Sequence, residues 1–348
     1  MNPIRIGDRI IGPDAPPFIM LEAGINHNGD LALAMEMIRV AKQAGADAIK
    51  FQTFKADEFV GDPEMTFTYK SQGKEVTESM LEMFRRYEFT RDEWVKIRRA
   101  CDEEGIVFLS TPQNTSDLEI LLELGVLAVK VGSDDFTNLP LLKRYARTHL
   151  PLLLSCGMSD LAETYHALET VGTFKGYPTI LLVCTSEYPT PADHVNISRL
   201  TTLKGAFPGL ILGFSDHTQN TTAATMAVAL GARLFEKHFT IDHNLPGPDH
   251  WFSVDPSGAA EWIRSIRLAD TMLGSGIVTP SDVERKNKRE FQRVLVAAQP
   301  ILQGEIFSEE NLTARRIPGG NGWPPSFMGQ VIGRRAQRDF SAKEPIGL

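Results

Sequence analysis

The chain has 348 residues, 42% hydrophobic and 23% charged, with a formal net charge of −8 at pH 7. That length exceeds most single cores and predicts one large domain with a small companion. The acidic balance argues against wholesale binding to nucleic acid or an anionic membrane, yet it leaves room for a local basic pocket that takes a phosphate-bearing metabolite.

In chain order, the opening "MNPIRIGDRIIGPDAPP" has no apolar core of signal-peptide length, and no later stretch approaches a membrane span. Cys101, Cys156 and Cys184 form no C-x-x-C pair. Together these features lead us to expect a reduced, cytoplasmic protein. Eight short apolar runs then follow, at 18–24, 47–53, 106–111, 128–133, 151–157, 179–185, 210–216 and 233–239. Helical patterns such as "DLALAMEMIRVAKQAGA" and "DLEILLELG" separate them, several closed by a glycine. Eight strand–helix repeats over about 250 residues predict an α/β fold of the (β/α)8 barrel type. An open doubly wound sheet would have fewer repeats and a glycine fingerprint after its first strand, and "EAGINHNG" is not G-x-G-x-x-G. Instead "INHNGD" reads as a turn, with Asp30 capping a helix that begins near Leu31.

One connection is unusually long. It runs from Thr53 to about Thr90 and leaves the face where barrel sites sit, so it is expected to form a lid or binding loop. The barrel is expected to span residues 1–275. A polar, charged stretch at 276–290 reads as a linker with a short helix. Residues 291–348 hold short β-like runs, with "LQGEIFSEENL" echoed by "FSAKEPIGL". So small a β-unit is expected to pack on something else, its own barrel or a partner's.

Side chains at the C-terminal ends of barrel strands line the active site. Here those positions hold Glu22, Lys50, Gln52, Thr111, Lys130, Ser133, Asp135, Ser155, Ser215, His217 and His238, with Tyr188 just beyond the sixth strand. Any one alone reads as a solvated loop residue, but a convergent set implies a ligand, because Lys and Glu inside apolar strands need partners. His217 and His238 follow neighbouring strands about 5 Å apart, so both imidazoles reach one point. Two neutral imidazoles suit Mn, Fe or Zn and leave positions for water and substrate, whereas a plain hydrogen-bonded pair needs no metal. Asp249 in "LPGPDH" is a candidate outer-sphere partner. Lys50 and Lys130, with Thr111, Ser133, Ser155 and Ser215, form a ring of cations and hydroxyls suited to a compact dianion such as a phosphorylated enol acid. The rival reading makes one lysine a Schiff-base nucleophile, as in a class I aldolase. Glu22 is placed to hold a hydroxyl, orient a water or act as base. In "KVGSDDFTN", Lys130 and Ser133 are expected to face the anion, and Asp135 the second substrate or the helix start at Leu139. Asp134 is expected to be solvated.

Several stretches together resemble the sialic acid synthase family, which condenses phosphoenolpyruvate with an N-acetylated aldose to make nine-carbon 2-keto acids. They are "EAGINHNGDL", "AGADAIKFQTF", "FLSTP", "KVGS", "LSCGM", "CTSEYPTP", "GFSDHT", "EKHFT" and "LPGPDH". In the tail, "GEIFSEENLTARR" and "PGGNG" resemble the family's antifreeze-like domain, also called SAF or β-clip. The resemblance implies a TIM barrel followed by that small domain. It implies a divalent metal on His217 and His238, usually manganese, with magnesium the alternative. It implies phosphoenolpyruvate on Lys50, Lys130, Thr111, Ser133, Ser155 and Ser215 with Gln52 nearby, and an amino sugar near Glu22, Asp135, Ser186, Tyr188 and Asp249. It also implies a domain-swapped homodimer in which Arg316, or Arg315 beside it, enters the partner's site. The chain departs from the family at Asp134–Asp135, where Gly-Glu is common, at Ser186, where some members have Asn, and at Cys156, where Thr is frequent. The first two departures fall near the sugar, so the sequence leaves the sugar open. A non-catalytic carbohydrate-binding protein is a third reading, hinted at by the antifreeze-like tail alone.

Overall fold

The eight apolar runs form eight parallel strands in a computed structural model, which describes residues 3–347. They are β1 (Phe18–Gly24), β2 (Ala48–Thr53), β3 (Val107–Pro112), β4 (Val129–Val131), β5 (Leu152–Ser155), β6 (Thr179–Val183), β7 (Ile211–Asp216) and β8 (Leu234–His238). Their ladder runs β3-β2-β1-β8-β7-β6-β5-β4. The first strand pairs with the eighth, His238 opposite Glu22, and β3 and β4 at the ladder's ends lie side by side, so the sheet nearly closes on itself. Every residue of β1, β5, β6 and β7 is buried. A strand with the lumen on one face and helices on the other has no solvent side, which is why these segments read as unbroken apolar runs. The expected run at 128–133 is strand only over Val129–Val131, and the chain bends over 133–135.

The outer layer is α1 (Leu31–Ala44), α2 (Arg91–Glu104), α3 (Thr115–Glu123), α4 (Leu139–Ala146), α5 (Leu161–Val171), α6 (Arg199–Ala206), α7 (Thr222–Ala229) and α8 (Pro256–Leu273). Asp30 caps α1 as expected, accepting from the Ala32 N–H at 2.7 Å, and Gly45 ends it in the left-handed region at φ 93°. One continuous apolar core joins strands to helices, with Phe18, Phe51, Tyr145 and Trp262 fully enclosed. An N-terminal hairpin, Ile4–Ile6 with Arg9–Ile11, adds Ile6 and Ile11 to that core.

The long connection after β2 is structured. It holds a short helix (Ala56–Phe59), a hairpin (Thr66–Ser71 with Lys74–Ser79) and a helix (Met80–Tyr87) around a small core of Phe54, Met83 and Tyr87 with Ile25. It is fastened to the barrel loops. The Gly247 N–H donates to Ser71 Oγ at 3.1 Å, and Gln72 Nε2 donates to the Asn244 carbonyl at 2.8 Å. At Gly29, φ is +70° and a Cβ would sit 2.1 Å from the Arg86 carbonyl oxygen, so only glycine permits that approach.

The chain divides into two compact units, Met1–Gly274 and Ser275–Leu348. The smaller begins with an exposed helix, Asp282–Phe291, across much of the expected linker. Its strands Val294–Ala297 and Leu312–Arg315 pair antiparallel, and the Phe307 and Phe340 rings lie 5.8 Å apart between centroids, which brings the two echoing segments together. This unit has a core of its own, made of residues that include Leu295, Ile301, Phe307, Phe340 and Ile346. Among the described residues no helix is long and apolar enough to cross a membrane.

Candidate active site

A cavity of about 640 Å³ opens at the C-terminal ends of the strands. Its floor is ionic. Glu22 and Lys50 stand opposite each other on β1 and β2, and Lys50 Nζ lies 2.6 Å from Glu22 Oε2 and donates to Thr111 Oγ1 at 2.9 Å. Lys130 Nζ donates to Ser155 Oγ at 2.7 Å and to the Val131 carbonyl at 3.0 Å. Between the two lysines sits Glu236 of β8, 3.7 Å from Lys50 and 3.6 Å from Lys130, and it accepts from Ser215 Oγ at 2.7 Å. All of these side chains are buried.

Burial sets the charge states. It pushes the Glu22 carboxyl up to about 7, against the pull of Lys50. Burial would raise Glu236 as well, but Lys130 and Lys50 outweigh it and bring that carboxyl down to about 2. Burial lowers Lys130, whereas for Lys50 the attraction of Glu22 and Glu236 overcomes burial and raises it. The floor therefore combines two lysines with one carboxylate held ionised, Glu236, and one carboxyl raised to about 7, Glu22. Such a floor can receive a further anion.

Above it stand the two histidines, ring centroids 5.5 Å apart. His217 Nδ1 lies 2.7 Å from the Thr185 carbonyl, so that nitrogen carries the proton and Nε2 keeps its lone pair. His238 Nδ1 is buried without a hydrogen-bond partner. Burial lowers His217 and takes His238 well below the usual imidazole value, with His217 adding to the effect. Tyr188 covers His217 at 4.3 Å between centroids. Two neutral imidazoles converge here, while no group of three or more His, Cys, Asp or Glu among the described residues could hold a metal by itself. That donor set fits an ion that keeps its other positions for water and substrate, not a closed structural site. Glu22 Oε1 and Ser186 Oγ are further buried polar atoms without hydrogen-bond partners, as expected where a ligand completes the bonding.

The model of the NeuB family matches residues 37–278, and that of the SAF domain residues 292–347. The chain belongs to the NeuB family. It is 39% identical to the N,N'-diacetyllegionaminic acid synthase of Legionella pneumophila over 93% of this chain and 92% of that one. It is 32% identical to the human N-acetylneuraminate-9-phosphate synthase over 94% of this chain and 90% of that one. The crystal structure of an N-acetylneuraminic acid synthetase from Leptospira borgpetersenii, in complex with citrate, superposes with a TM-score of 0.74 at 32% identity, covering 82% of this chain and 95% of that one. These relatives are synthases of sialic-acid-like acids. As a NeuB-family chain, this protein is a synthase of the same broad kind, built as a barrel followed by a SAF domain.

In this NeuB-family barrel the cavity is lined by Glu22, Lys50, Gln52, Thr111, Lys130, Ser133, Ser155, Ser186, Tyr188, Ser215, His217, His238 and Asp249. One of the residues expected from the sequence is elsewhere. Asp134, not Asp135, lines the cavity. The strand stops at Val131, and the bend that follows brings the Asp134 carboxylate back over Gly132, where a Cβ would meet its Oδ1 at 2.1 Å. Asp135 instead accepts from Asn138 Nδ2 at 2.9 Å, beside the N-cap of α4. Arg316 lies in the smaller unit, exposed, directly after the strand Leu312–Arg315, and Arg315 is exposed too.

Other lining residues carried no assignment in the sequence. Glu236 is the most consequential, and its signal was present: an acid inside the apolar strand of "FEKHFT", like the lysines of the other strands. The hairpin after β2 contributes Phe67, Tyr69 and Lys70, and the loop after β8 contributes Trp251 and Phe252, with Lys70 Nζ 4.6 Å from the Trp251 ring centre. The long connection thus forms part of the wall. Asp249, on the same loop, is pushed up to about 7 by burial. Ser133 accepts from the Gly157 N–H at 3.1 Å, and a Cβ on Gly157 would lie 2.5 Å from Ser186 Oγ and 2.6 Å from Ser133 Oγ.

Proposed function

We propose that this chain condenses phosphoenolpyruvate with an open-chain N-acetylated amino sugar, forming a carbon–carbon bond and releasing phosphate to give a sialic-acid-like 2-keto acid. The observation that carries the proposal is the buried floor, where two lysines share one carboxylate under two neutral imidazoles. Lys50 and Lys130, with Thr111, Ser133 and Ser155, offset the phosphate and carboxylate charges of the enol acid. Carbon 3 of phosphoenolpyruvate attacks the sugar's aldehyde carbon, and positive charge develops at carbon 2. Water adds there, and the tetrahedral intermediate expels phosphate, which carries off the hydroxyl proton of carbon 2 as the ketone forms. The water gives up one proton and the new hydroxyl gains one. Glu22, titrating near 7 with an unpartnered oxygen, is suited to take the first and supply the second. A divalent ion, manganese first and magnesium second, would sit on His217 and His238 and supply Lewis-acid polarisation of the aldehyde oxygen. Tyr188, Ser186, Asp249 and Asp134 would surround the sugar.

A cytoplasmic location and a domain-swapped homodimer, with Arg316 of one copy contacting the sugar's acyl group in the other, belong to the same proposal. A Schiff-base aldolase is favoured by one observation, the lowering of Lys130 by burial. The ties of Lys130 to Ser155, the Val131 carbonyl and Glu236 favour a fixed cation over a nucleophile. The test is phosphate release with phosphoenolpyruvate and Mn2+ against a panel of N-acetylmannosamine and diacetamido-6-deoxy hexoses. Release that needs both substrates and stops on chelation is expected. Full turnover by chelated enzyme refutes the metal role, and borohydride trapping of pyruvate on Lys130 would establish the aldolase instead.

A further inference from the structure

Directly behind the two histidines, on the opposite face of β7 and β8, lies a second buried ion pair that the reaction does not touch. Asp216 and Lys237 stand opposite each other in the parallel ladder, each one residue before a histidine. Side chains alternate along a strand, so Ser215 and Glu236 face the cavity while Asp216 and Lys237 face α8. Neither has more than 3% of its surface exposed.

Their bonding converges on one short turn. Asp216 Oδ1 accepts from the Thr218 N–H at 2.9 Å and from Thr218 Oγ1 at 2.8 Å, bracketing His217. Asp216 Oδ2 accepts from the Trp262 indole at 2.8 Å and lies 3.1 Å from Lys237 Nζ. Lys237 Nζ donates to the Thr218 carbonyl at 2.5 Å, so a side chain rooted beside His238 holds the backbone around His217. On its far side, His217 is fixed by the Thr190 N–H, which donates to the His217 carbonyl at 2.9 Å.

We infer that Asp216 and Lys237 are a positioning pair that sets the orientation of His217 relative to His238 and thereby tunes their affinity for a shared divalent cation. The cation half rests on the function proposed above; the orientation half stands on these contacts alone. A salt bridge whose only task was stability is replaceable by apolar side chains, because desolvating two charges offsets most of their attraction. This pair also spends its spare donors and acceptors on the turn that carries His217, and residues that orient ligand imidazoles are worth about 10–100-fold in metal affinity.

The test uses the full chain with histidine-selective 15N labelling, which reports the His217 tautomer without any metal, together with Mn2+ titration. In the native chain His217 is expected as a single Nδ1–H tautomer. Lys237→Met is expected to mix the tautomers and weaken Mn2+ binding about 10–100-fold. It also strands a buried carboxylate and lowers the melting temperature. The double variant Asp216→Asn with Lys237→Met removes that unpaired charge, so it is expected to recover melting temperature but neither the single tautomer nor the Mn2+ affinity. A His217 that stays a single tautomer in both variants overturns the inference. So does a double variant whose Mn2+ affinity recovers along with its melting temperature. A native chain that fails to bind Mn2+ refutes the metal reading, and the tautomer ratio still decides the positioning one.

Discussion

Glu22 is expected to make anion binding in this cavity proton-coupled. Its carboxyl titrates near 7 and lies 2.6 Å from Lys50, the cation a bound anion would share. An anion on Lys50 places negative charge within about 5 Å of that carboxyl. At an effective dielectric constant of about 20 each unit charge at that distance costs about 3 kcal/mol against an ionised Glu22, equivalent to about two pKa units. Binding a dianion therefore draws a proton onto Glu22. Above about pH 7 that proton must be taken from solution, and affinity falls by up to about tenfold per pH unit. Sulfate is the suitable probe, because it does not itself titrate in this range. Its dissociation constant, measured by calorimetry from about pH 6 to pH 9, is expected to be flat below 7 and to rise about a hundredfold by 9. In Glu22→Gln there is no carboxyl to take up that proton, and the curve should be markedly flatter than the native one above pH 7. A native curve that is flat across this range, or a Glu22→Gln variant with the native slope, refutes the reasoning.

The same shift acts on stability. Carboxyls raised on folding, as Glu22 and Asp249 are to about 7, contribute stability that is complete below their unfolded value and lost as pH rises through 7. The melting temperature of the ligand-free protein should fall between about pH 5 and pH 8, and less so in Glu22→Gln, as scanning calorimetry would register. Asp134→Asn is expected to raise the KM for the amino sugar, whereas Asp135→Asn should change stability slightly and leave both KM values near native. The reverse pattern would restore Asp135 to the cavity. Gly213→Ala pushes a Cβ to 2.6 Å from the Leu234 carbonyl inside the β7–β8 ladder, and should cost about 1–3 kcal/mol and about 2–4 °C of melting temperature per kcal/mol. Arg316→Ala should raise the sugar KM far more than that for phosphoenolpyruvate, with Arg315→Ala as comparison, and equal effects on both substrates would exclude a sugar contact.

The barrel was legible because its strands have no solvent face, so each stands out as an apolar run whose first polar residue marks the site. Lys50 and Lys130 stand out in this way. Glu236 carries the same mark, two residues before the more conspicuous His238. What the pattern could not convey is orientation after a strand stops. Adjacent Asp134 and Asp135 differ only in how the chain bends over 133–135, and the sequence pattern does not say which of the two carboxylates that bend turns back over Gly132. The Asp216–Lys237 pair was equally hidden, since it depends on register across two strands and on Trp262, dozens of residues away. The wall from 66–84 could be suspected from the length of its connection, but its contacts to 242–251 arise only from folding.

The division of labour between strands and loops has an evolutionary consequence. The charged floor is carried by strands whose register the whole barrel enforces, whereas Phe67, Tyr69, Lys70 and Trp251 ride on a hairpin and a loop pinned to each other by Ser71–Gly247 and Gln72–Asn244. Changes in that rim leave the ladder and the ion network untouched. On the function proposed above, acceptor specificity can therefore change through these two wall segments while the charged floor beneath stays constant.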